Sequence, residues 1–305
     1  MLAIEEYLKS LFGNAATVIV NYLSLLLRIE SWNVDGFRGD CIQELLKRLC
    51  LKPDILFLNE IKCKAVSLQE LLGRASRGRS EGPISSYDLI ISEHVPSHHH
   101  GVAMLIRKGL RYTVIPIDMK GYARSDNVSP DADAVRGRFI AVCVEDKINV
   151  IGTYVPNSGR KEDSLVYRVT KWDRRLEIVL MALQKLKPTI WIGDINVALH
   201  DIDVAAPQWA CNYPGFLPSE RASFRLMLSR TELVDIWRFL HPTSKEYSWC
   251  GYLVGTKVPA PLRLDNCLIS KSLISCIVDT YIDQQGGSYN YSDHRPIGIR
   301  LQLEA

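Results

Sequence analysis

Short apolar runs recur along the whole chain, and turn-rich segments separate them. Runs of this length, bounded by turn residues, are typical of β-strands. The predicted strands span 26–32, 55–58, 89–92, 102–106, 139–144, 148–154, 190–192, 264–269 and 296–303. Strands are therefore expected up to the last residues of the sequence.

Longer amphipathic stretches lie between these runs and predict helices at 41–50, 162–186 and 220–230. In the stretch 162–186, apolar residues recur at spacings of about three and four, which places them on one helix face. They are Tyr167, Val169, Trp172, Leu176, Val179, Leu180 and Leu183. We expect this helix to lie on a sheet.

The alternation of strands and helices predicts a single α/β domain at 27–305, preceded by an N-terminal extension at 1–26. No internal repeat or low-complexity tract divides the sequence. Loops are predicted at 73–86, 121–137 and 256–261.

Polar clusters adjoin five of the apolar runs, at 31–36, 56–60, 191–196, 264–266 and 292–296. A carboxylate at the end of a strand is costly to desolvate unless it is paired or binds a metal. Five such clusters therefore indicate strand ends that converge on a cation. The alternative is five unrelated turn caps, because Asp and Asn commonly satisfy backbone groups at turns.

The candidate metal ligands within these clusters are oxygen donors, namely Asp35, Glu60 and Asp293. No C-x-x-C pair occurs in the sequence, so the ligand set favours Mg²⁺ or Mn²⁺ over a structural zinc ion. Because Mg²⁺ keeps several waters and bridges to phosphate oxygens, the set also indicates phosphate-ester chemistry.

An aspartate and a histidine form a second candidate pair. His294 directly follows Asp293, and Asp265 lies on the preceding predicted strand. An Asp that accepts from one imidazole nitrogen fixes which nitrogen faces the substrate. Asp265 is therefore predicted to orient His294. The alternative is a structural histidine with satisfied hydrogen bonds.

Composition narrows the class of protein less than these motifs do. The chain has 305 residues and a net charge of +3, which is too small to indicate nucleic-acid binding by itself. Its longest apolar run, 15–27, is too short for a transmembrane helix, and Glu5 and Glu6 precede it where a signal peptide has basic residues. Eight cysteines, mostly within apolar segments, indicate a reducing, intracellular compartment.

Taken in order, eight strings of the sequence resemble the exonuclease/endonuclease/phosphatase superfamily, and more narrowly the apurinic/apyrimidinic (AP) endonucleases of the exonuclease III type. The strings are SWNVDGFR at 31–38, NEIK at 59–62, TYVPNSGR at 153–160, GDINVA at 193–198, GFLPSER at 215–221, YSW at 247–249, RLD at 263–265 and SDH at 292–294. The resemblance covers about residues 28–303. It implies a four-layer α/β sandwich, in which two packed mixed β-sheets are flanked by helices as in DNase I-like proteins.

The resemblance also implies roles for individual residues. A divalent metal is bound through Asp35, Glu60 and Asp293, while Asp194 and Asn196 position or deprotonate the attacking water. The phosphate accepts hydrogen bonds from four side chains, and Asp265 orients one of them, His294. These four are Asn33, Tyr154, Asn157 and His294.

AP-specific members of the family line a small apolar pocket that accepts a flipped-out abasic sugar. Trp249 and Leu264 match two walls of that pocket, whereas Leu262 stands where many relatives carry Trp. The pocket is therefore expected to be wider or less selective. The alternative for Trp249 is ordinary core packing. Where this sequence has NEIK, the family usually has QETK. Asn59 is therefore one methylene shorter than the usual Gln, and we expect it to lose a contact that the longer side chain makes.

Three further residues align with family positions that contact DNA. His99 lies in the histidine-rich run 93–101, for which a solvated loop and, less readily, a zinc site are alternatives. Arg160 and Leu253 align with residues that probe or wedge the duplex, although both are equally compatible with plain surface positions.

These observations predict a Mg²⁺-dependent, Mn²⁺-compatible endonuclease that nicks DNA 5′ to an abasic site and leaves a 3′ hydroxyl, with 3′ exonuclease or phosphodiesterase activity as a possible addition. The alternatives are a broader structure- or base-selective DNA endonuclease and a non-catalytic DNA-binding relative. The expected partner is double-stranded DNA with abasic sites. The protein is expected to be a monomer and not to bind a membrane. The expected location is a DNA-containing compartment, the nucleus in a eukaryote.

Overall fold

The computed structural model describes residues 24–37, 39–76, 83–92, 100–117, 137–252, 260–284 and 291–304. His99 and Leu253, two of the predicted DNA contacts, lie outside the described residues. Most of the predicted N-terminal extension and of the predicted loop 121–137 also lies outside them.

Two six-stranded mixed sheets form the centre of the protein. Within the described ranges the strands are β1 (Ser24–Asn33), β2 (Ile55–Asn59), β3 (Tyr87–Ser92), β4 (Val102–Arg107), β5 (Tyr112–Val114), β6 (Phe139–Val144), β7 (Ile148–Tyr154), β8 (Thr189–Asp194), β9 (Leu233–Asp235), β10 (Asp265–Ser270), β11 (Ile277–Ile282) and β12 (Ile297–Glu304). The first sheet has the order β11-β12-β1-β2-β4-β3, and the second has the order β5-β6-β7-β8-β10-β9.

Helices cover the outer faces of both sheets. The α-helices are α1 (Gly39–Cys50), α2 (Ala65–Ser76), α3 (Glu162–Tyr167), α4 (Asp173–Leu186), α5 (Pro207–Ala210), α6 (Pro218–Thr231) and α7 (Ile236–Leu240). A π-turn, Arg168–Trp172, joins α3 to α4, and 3₁₀ turns lie at Pro83–Ser86, Asp201–Asp203 and Lys271–Cys276. In the part of the chain that is described, no helix is both long and apolar enough to cross a bilayer.

Three hydrophobic clusters separate the four layers. The cluster between the sheets contains Phe57 and Met104 from one sheet and Ile192 from the other. A second cluster packs α4 and α6 on the second sheet, and a third packs α1 and α2 on the first. Because β2 and β8 are covered on both faces, all of their residues are buried, which explains their nearly continuous apolar sequences. The predicted four-layer sandwich is confirmed.

The sheet register brings the polar clusters to one edge. β1 pairs with β2 in parallel and places Asn33 beside Asn59, while β7 pairs with β8 in parallel and places Tyr154 beside Asp194. β10 runs antiparallel to β8 and begins with Asp265 opposite Asp194. Carboxyl ends of parallel strands lie at the same edge of a sheet, so these clusters converge.

The predicted elements differ from the observed ones in several ways. Helices α2, α5 and α7 were not predicted, and the segment 73–86, predicted as a loop, contains the last turn of α2 and a 3₁₀ turn at Pro83–Ser86. Strand β1 begins at Ser24, two residues before the predicted run. Three strands were not predicted: β5 and β9 have only three residues each, and the partly exposed strand β11 lies at a sheet edge. The predicted helix 162–186 is interrupted by the π-turn, which the apolar spacing did not indicate.

Gly152 in β7 lies directly against a ring of the opposite sheet. A Cβ atom at this position would overlap the Phe57 ring, which projects from β2 in the opposite sheet. The lack of a side chain at Gly152 therefore creates the space that the Phe57 ring fills.

Candidate active site

The side-chain amide of Asn33 bonds carboxylates from both sheets at their common edge. Asn33 Nδ2 donates to Glu60 Oε1 at 2.8 Å and to Asp194 Oδ2 at 2.9 Å. Glu60 directly follows β2 in the first sheet, and Asp194 is the last residue of β8 in the second. Since Asn33 is fully buried, its hydrogen bonds fix the relative position of the two carboxylates.

Two carboxylates of the first sheet share one cationic side chain. Lys62 Nζ lies 2.5 Å from Asp35 Oδ1 and 2.7 Å from Glu60 Oε2. Burial lowers the pKa of Lys62, but hydrogen bonds to Asp35 and Glu60 outweigh burial and raise the pKa above its usual value. Positive charge is therefore favoured between these two carboxylates.

The loops after β7 and β8 contact each other through two asparagines. Asn157 Nδ2 donates to Asn196 Oδ1 at 3.0 Å, and Asn196 Nδ2 donates to the carbonyl oxygen of Val155 at 2.9 Å. The backbone N–H of Asn196 donates to Asp194 Oδ1 at 3.0 Å. Both oxygens of Asp194 are thus held by amide donors, one by Asn33 and the other by this N–H.

Asp265 and His294 form a buried pair beside this cluster. Asp265 Oδ2 lies 2.7 Å from His294 Nδ1, while His294 Nε2 lies 3.4 Å from Asn33 Nδ2 and 3.9 Å from Asp194 Oδ2. Burial lowers the pKa of His294, but the carboxylates of Asp265 and Asp194 outweigh burial and raise the pKa well above its usual value. The geometry therefore directs Nε2 toward the cluster.

Burial close to other acidic side chains raises the pKa of both Asp194 and Tyr154. Burial raises the pKa of Asp194 against the attraction of His294, and the nearby Asp265 and Glu60 raise it further. Burial also raises the pKa of Tyr154 well above its usual value, again with Glu60 and Asp194 adding to the rise. The Tyr154 phenol therefore keeps its proton and is able to donate it in a hydrogen bond.

The backbone around the cluster is locally strained. Asp35, Glu60, Lys62 and Asn196 have positive φ angles, between 45° and 53°. Non-glycine residues rarely adopt this left-handed conformation, which costs on the order of 1–3 kcal/mol each, and such residues concentrate at functional sites.

Among the described residues, one group of three side chains could hold a metal ion. Glu60, Asp194 and His294 each offer a ligand atom, and these atoms lie within 4.8 Å of one another. Of the three predicted ligands, only Glu60 belongs to this group. Asp35 instead contacts Lys62, and Asp293 Oδ1 lies 4.0 Å from His294 Nε2.

An apolar cluster adjoins the acidic one. Leu262 and Leu264 are buried with Phe216, and the half-buried Trp249 packs against them. Trp249 Nε1 donates to Asp293 Oδ2 at 2.8 Å, so the predicted pocket wall contacts a predicted metal ligand. The Trp249 ring packs on the core and its N–H contacts Asp293, while its role as a pocket wall stays a prediction.

The remaining predicted residues lie at the rim. Arg160 and Asn157 are exposed and belong to the loop that follows β7. Asn157 Oδ1 accepts from the backbone N–H of Gly159 at 2.8 Å, which folds this loop back toward the site.

Several residues of the site were not among the predicted site residues. Lys62 stands in the NEIK string, but its contact with Asp35 requires the fold. Ser248 stands in the YSW string, but its hydroxyl accepts from the backbone N–H groups of Leu264 and Asp265, a contact that also requires the fold. Asn59, shorter than the usual Gln, still accepts from the backbone N–H of Asp194, at 3.4 Å.

The fold and the site together define an α/β-sandwich protein with an acidic, histidine-containing centre at one sheet edge. A family model, described as the Endonuclease/Exonuclease/phosphatase family, matches residues 31–294. The chain belongs to this family of nuclease and phosphatase enzymes. The family predicted from the sequence resemblance is therefore confirmed.

Individual relatives carry related names. A DNA-(apurinic or apyrimidinic site) endonuclease of Dictyostelium discoideum is 30% identical over 281 residues, which are 91% of this chain and 71% of that protein. An exodeoxyribonuclease of Bacillus subtilis is 27% identical over 282 residues, covering 91% of this chain and all of that protein. Among solved structures, an AP endonuclease from Archaeoglobus fulgidus has a TM-score of 0.69 at 25% identity, covering 90% of this chain and 99% of that one. An AP endonuclease from Leishmania major has a TM-score of 0.71 at 24% identity, with coverage of 92% and 88%.

Proposed function

We propose that this protein is a Mg²⁺-dependent DNA-repair endonuclease that hydrolyses the phosphodiester 5′ to an abasic site and leaves a 3′ hydroxyl. The observation that carries the proposal is that Glu60, Asp194 and His294 offer polar atoms within 4.8 Å of one another, with both carboxylates held by the buried amide of Asn33. The names of the relatives support DNA as the substrate.

The donor set fits a divalent cation. Carboxylate oxygens are the ligands that Mg²⁺ prefers. Burial raises the pKa of Asp194, nearby Asp265 and Glu60 raise it further, and a bound cation would offset the negative charge of these acids. We propose that Glu60 is the central ligand, with Asp35 and Asp293 completing the set. When bound, the ion would polarise the scissile phosphate and stabilise the charge that develops on its oxygens.

Asp194 is the proposed general base for the attacking water. Its two oxygens are held by Asn33 and by the backbone N–H of Asn196, so the carboxylate cannot rotate freely. Its raised pKa makes the ionised form a better proton acceptor than an exposed aspartate. Asn196, linked to Asn157, is placed to orient the same water.

Four donors are proposed to bind the phosphate. The protonated Nε2 of His294, the phenol of Tyr154 and the amide of Asn157 surround the cluster. The Asn33 amide, whose two protons bond Glu60 and Asp194 in this structure, would redirect one of them to the phosphate. Because negative charge grows on the phosphate oxygens during attack, preorganised donors stabilise the transition state more than the bound substrate. The raised pKa of His294 supports a donor role for this side chain over a ligand role.

Abasic specificity is proposed to come from the apolar cluster beside Asp293. A sugar without a base fits a small apolar wall such as the one that Trp249 and Leu264 form. Leu262 belongs to the same apolar cluster, at 3% exposure, where an aromatic side chain would fill more space. This observation favours a second candidate, a broader endonuclease with the same catalytic groups.

The two candidates are separated by a panel of labelled duplexes. One duplex carries a single tetrahydrofuran abasic analogue, and the others are undamaged, uracil-containing or single-stranded. We expect Mg²⁺-dependent incision of the abasic duplex only, loss of incision in EDTA and in Glu60→Gln, and product ends that a DNA polymerase extends. Equal cutting of undamaged DNA would favour the broader nuclease, and no cutting at all would refute both.

We also propose that the protein acts as a monomer in a DNA-containing compartment. The groups assigned to the proposed chemistry all belong to the described residues of one chain, so the proposal needs no residue from a second copy. Cleavage rates that scale linearly with protein concentration, together with a monomeric mass in solution, would support this proposal.

A further inference from the structure

A buried arginine lies directly behind the two asparagine loops. Arg168 is 1% exposed and donates from Nη1 to the carbonyl oxygen of Pro156 at 2.8 Å and from Nη2 to that of Ile195 at 2.9 Å. Pro156 immediately precedes Asn157, and Ile195 lies between Asp194 and Asn196. One guanidinium therefore bonds the backbone of both loops.

The π-turn accounts for the orientation of this arginine. The backbone N–H of Asp173 donates to the carbonyl oxygen of Arg168, five residues earlier, which is the hydrogen bond of a π-turn. In a regular α-helix, residues five apart differ by about 140° around the axis, so their side chains do not meet. Here Arg168 Nε lies 2.7 Å from Asp173 Oδ1, and Asp173 Oδ2 accepts from the Ser223 hydroxyl in α6.

We propose that Arg168 is a positioning residue whose guanidinium sets the spacing between the Asn157 and Asn196 loops. The π-turn aims the side chain, Asp173 holds its Nε, and the two remaining nitrogens bond one carbonyl on each loop. This inference rests on the proposed function, since Asn157 and Asn196 are the groups that it positions.

The geometry of the guanidinium carries the argument. Its donors form a rigid planar fork, so two carbonyls bonded to the same fork are held at a fixed separation. A lysine ammonium is a single point charge on a flexible stem and cannot impose that separation. Asn157 Nδ2 and Asn196 Oδ1 lie 3.0 Å apart, so a shift of either loop alters a contact inside the site.

The test compares Arg168→Lys with a matched control, Arg174→Lys. Arg174 carries the same charge six residues further along, is half-exposed and pairs with Glu177. Single-turnover cleavage of the abasic duplex gives the rate, and binding of the same duplex in EDTA gives Kd. We expect Arg168→Lys to lower the rate about 10- to 100-fold, because displacements near 1 Å in a site have effects of this order, with Kd changed less than about threefold. Arg174→Lys should match the wild type.

Coupling to Asn196 distinguishes positioning from a general loss of stability. If Arg168 acts through the loop, Arg168→Lys should add less than about threefold to the loss already caused by Asn196→Ala. Should Arg168→Lys not fold, the double variant Arg168→Gln/Asp173→Asn replaces it. That variant removes both buried charges together and leaves one amide that cannot span two carbonyls.

Wild-type rates in a folded Arg168 variant, or a loss that multiplies fully with that of Asn196→Ala, would overturn the inference. Failure of the proposed function is distinct, because the wild type itself would then not cut the abasic duplex. In that case, the same variant ratios are measured on whichever phosphodiester the wild type cleaves.

Discussion

Asp265 Oδ2 lies 2.7 Å from Nδ1 of His294, and both side chains are buried where β10 begins. The Ser248 hydroxyl accepts from the backbone N–H of Asp265, which fixes the start of this strand. Because Nδ1 faces Asp265, the other ring nitrogen, Nε2, is left to face Asn33 and Asp194. The pair thus orients an imidazole toward the acidic cluster.

Replacing Asp265 by Asn should slow cleavage while leaving the fold intact. The amide has the same shape, but it no longer stabilises a protonated ring or selects its orientation. By analogy with the loss of one preorganised donor, we expect the single-turnover rate on abasic duplex to fall about 100- to 1000-fold. Asp201→Asn, at an exposed acid far from this pair in sequence, is the control and should retain the wild-type rate. An unchanged rate in Asp265→Asn would show that this carboxylate does not act through His294.

Much of this arrangement could be predicted before any coordinates. The strings around Asn33, Glu60 and Asp194 indicated strand ends that converge, and the fully buried strands β2 and β8 were evident as apolar runs. Both signals are local, because a strand that is covered on both faces needs apolar residues throughout.

Other features depend on tertiary context. Arg168 and Asp173 stand five residues apart, a spacing that does not form a pair on an ordinary α-helix, and only the π-turn brings them together. The left-handed backbone at Glu60 and Lys62 also has no sequence signature, since non-glycine residues rarely adopt it. Sequence patterns indicate the backbone conformation that residues adopt on average, whereas the residues named here adopt uncommon backbone conformations.

Two candidate ligands can be distinguished by Mg²⁺ binding. Glu60 belongs both to the predicted ligand set and to the group within 4.8 Å, whereas His294 belongs only to the latter and has a raised pKa. We expect Glu60→Gln to weaken Mg²⁺ binding at least about 10-fold, since removing a direct ligand costs at least as much as removing its hydrogen-bonded neighbours. His294→Asn should change binding less than about threefold.

Isothermal titration calorimetry without DNA measures both affinities independently of cleavage. Glu70→Gln in α2 makes the same substitution at an exposed position and serves as the control. Equal weakening in Glu60→Gln and His294→Asn would instead identify the imidazole as a ligand.

The hydrogen bond from Trp249 to Asp293 predicts that the pocket wall influences cation binding. Trp249→Phe keeps an aromatic ring but removes the N–H that donates to Asp293 at 2.8 Å. Partners of this kind orient ligands, and their loss typically costs about 10- to 100-fold in metal affinity or activity. We expect an effect near the lower limit, because Asp293 is partly exposed to water.

Trp209→Phe is the matched control, since Trp209 is 67% exposed. Mg²⁺ affinity is measured by calorimetry, because Trp249→Phe removes the indole itself, and should fall in Trp249→Phe but not in Trp209→Phe. If Trp249→Phe binds Mg²⁺ with the wild-type affinity, the indole only packs against the leucines beside it.

The contact between Gly152 and Phe57 predicts a coupled effect on stability. Gly152→Ala places a methyl group against the Phe57 ring in the tightly packed layer between the sheets, so it should lower the free energy of unfolding by about 1–3 kcal/mol. Phe57→Leu removes the opposing ring atoms and should relieve that overlap. The double variant is therefore expected to be more stable than the sum of the single effects implies, by at least about 0.5 kcal/mol in urea unfolding.

Gly73→Ala, at an exposed helical glycine with open space around it, should instead stabilise the protein by up to about 1 kcal/mol. Strict additivity of the two core substitutions would mean that the sheets separate to accommodate the methyl group, and the close approach at Gly152 would then not determine their packing.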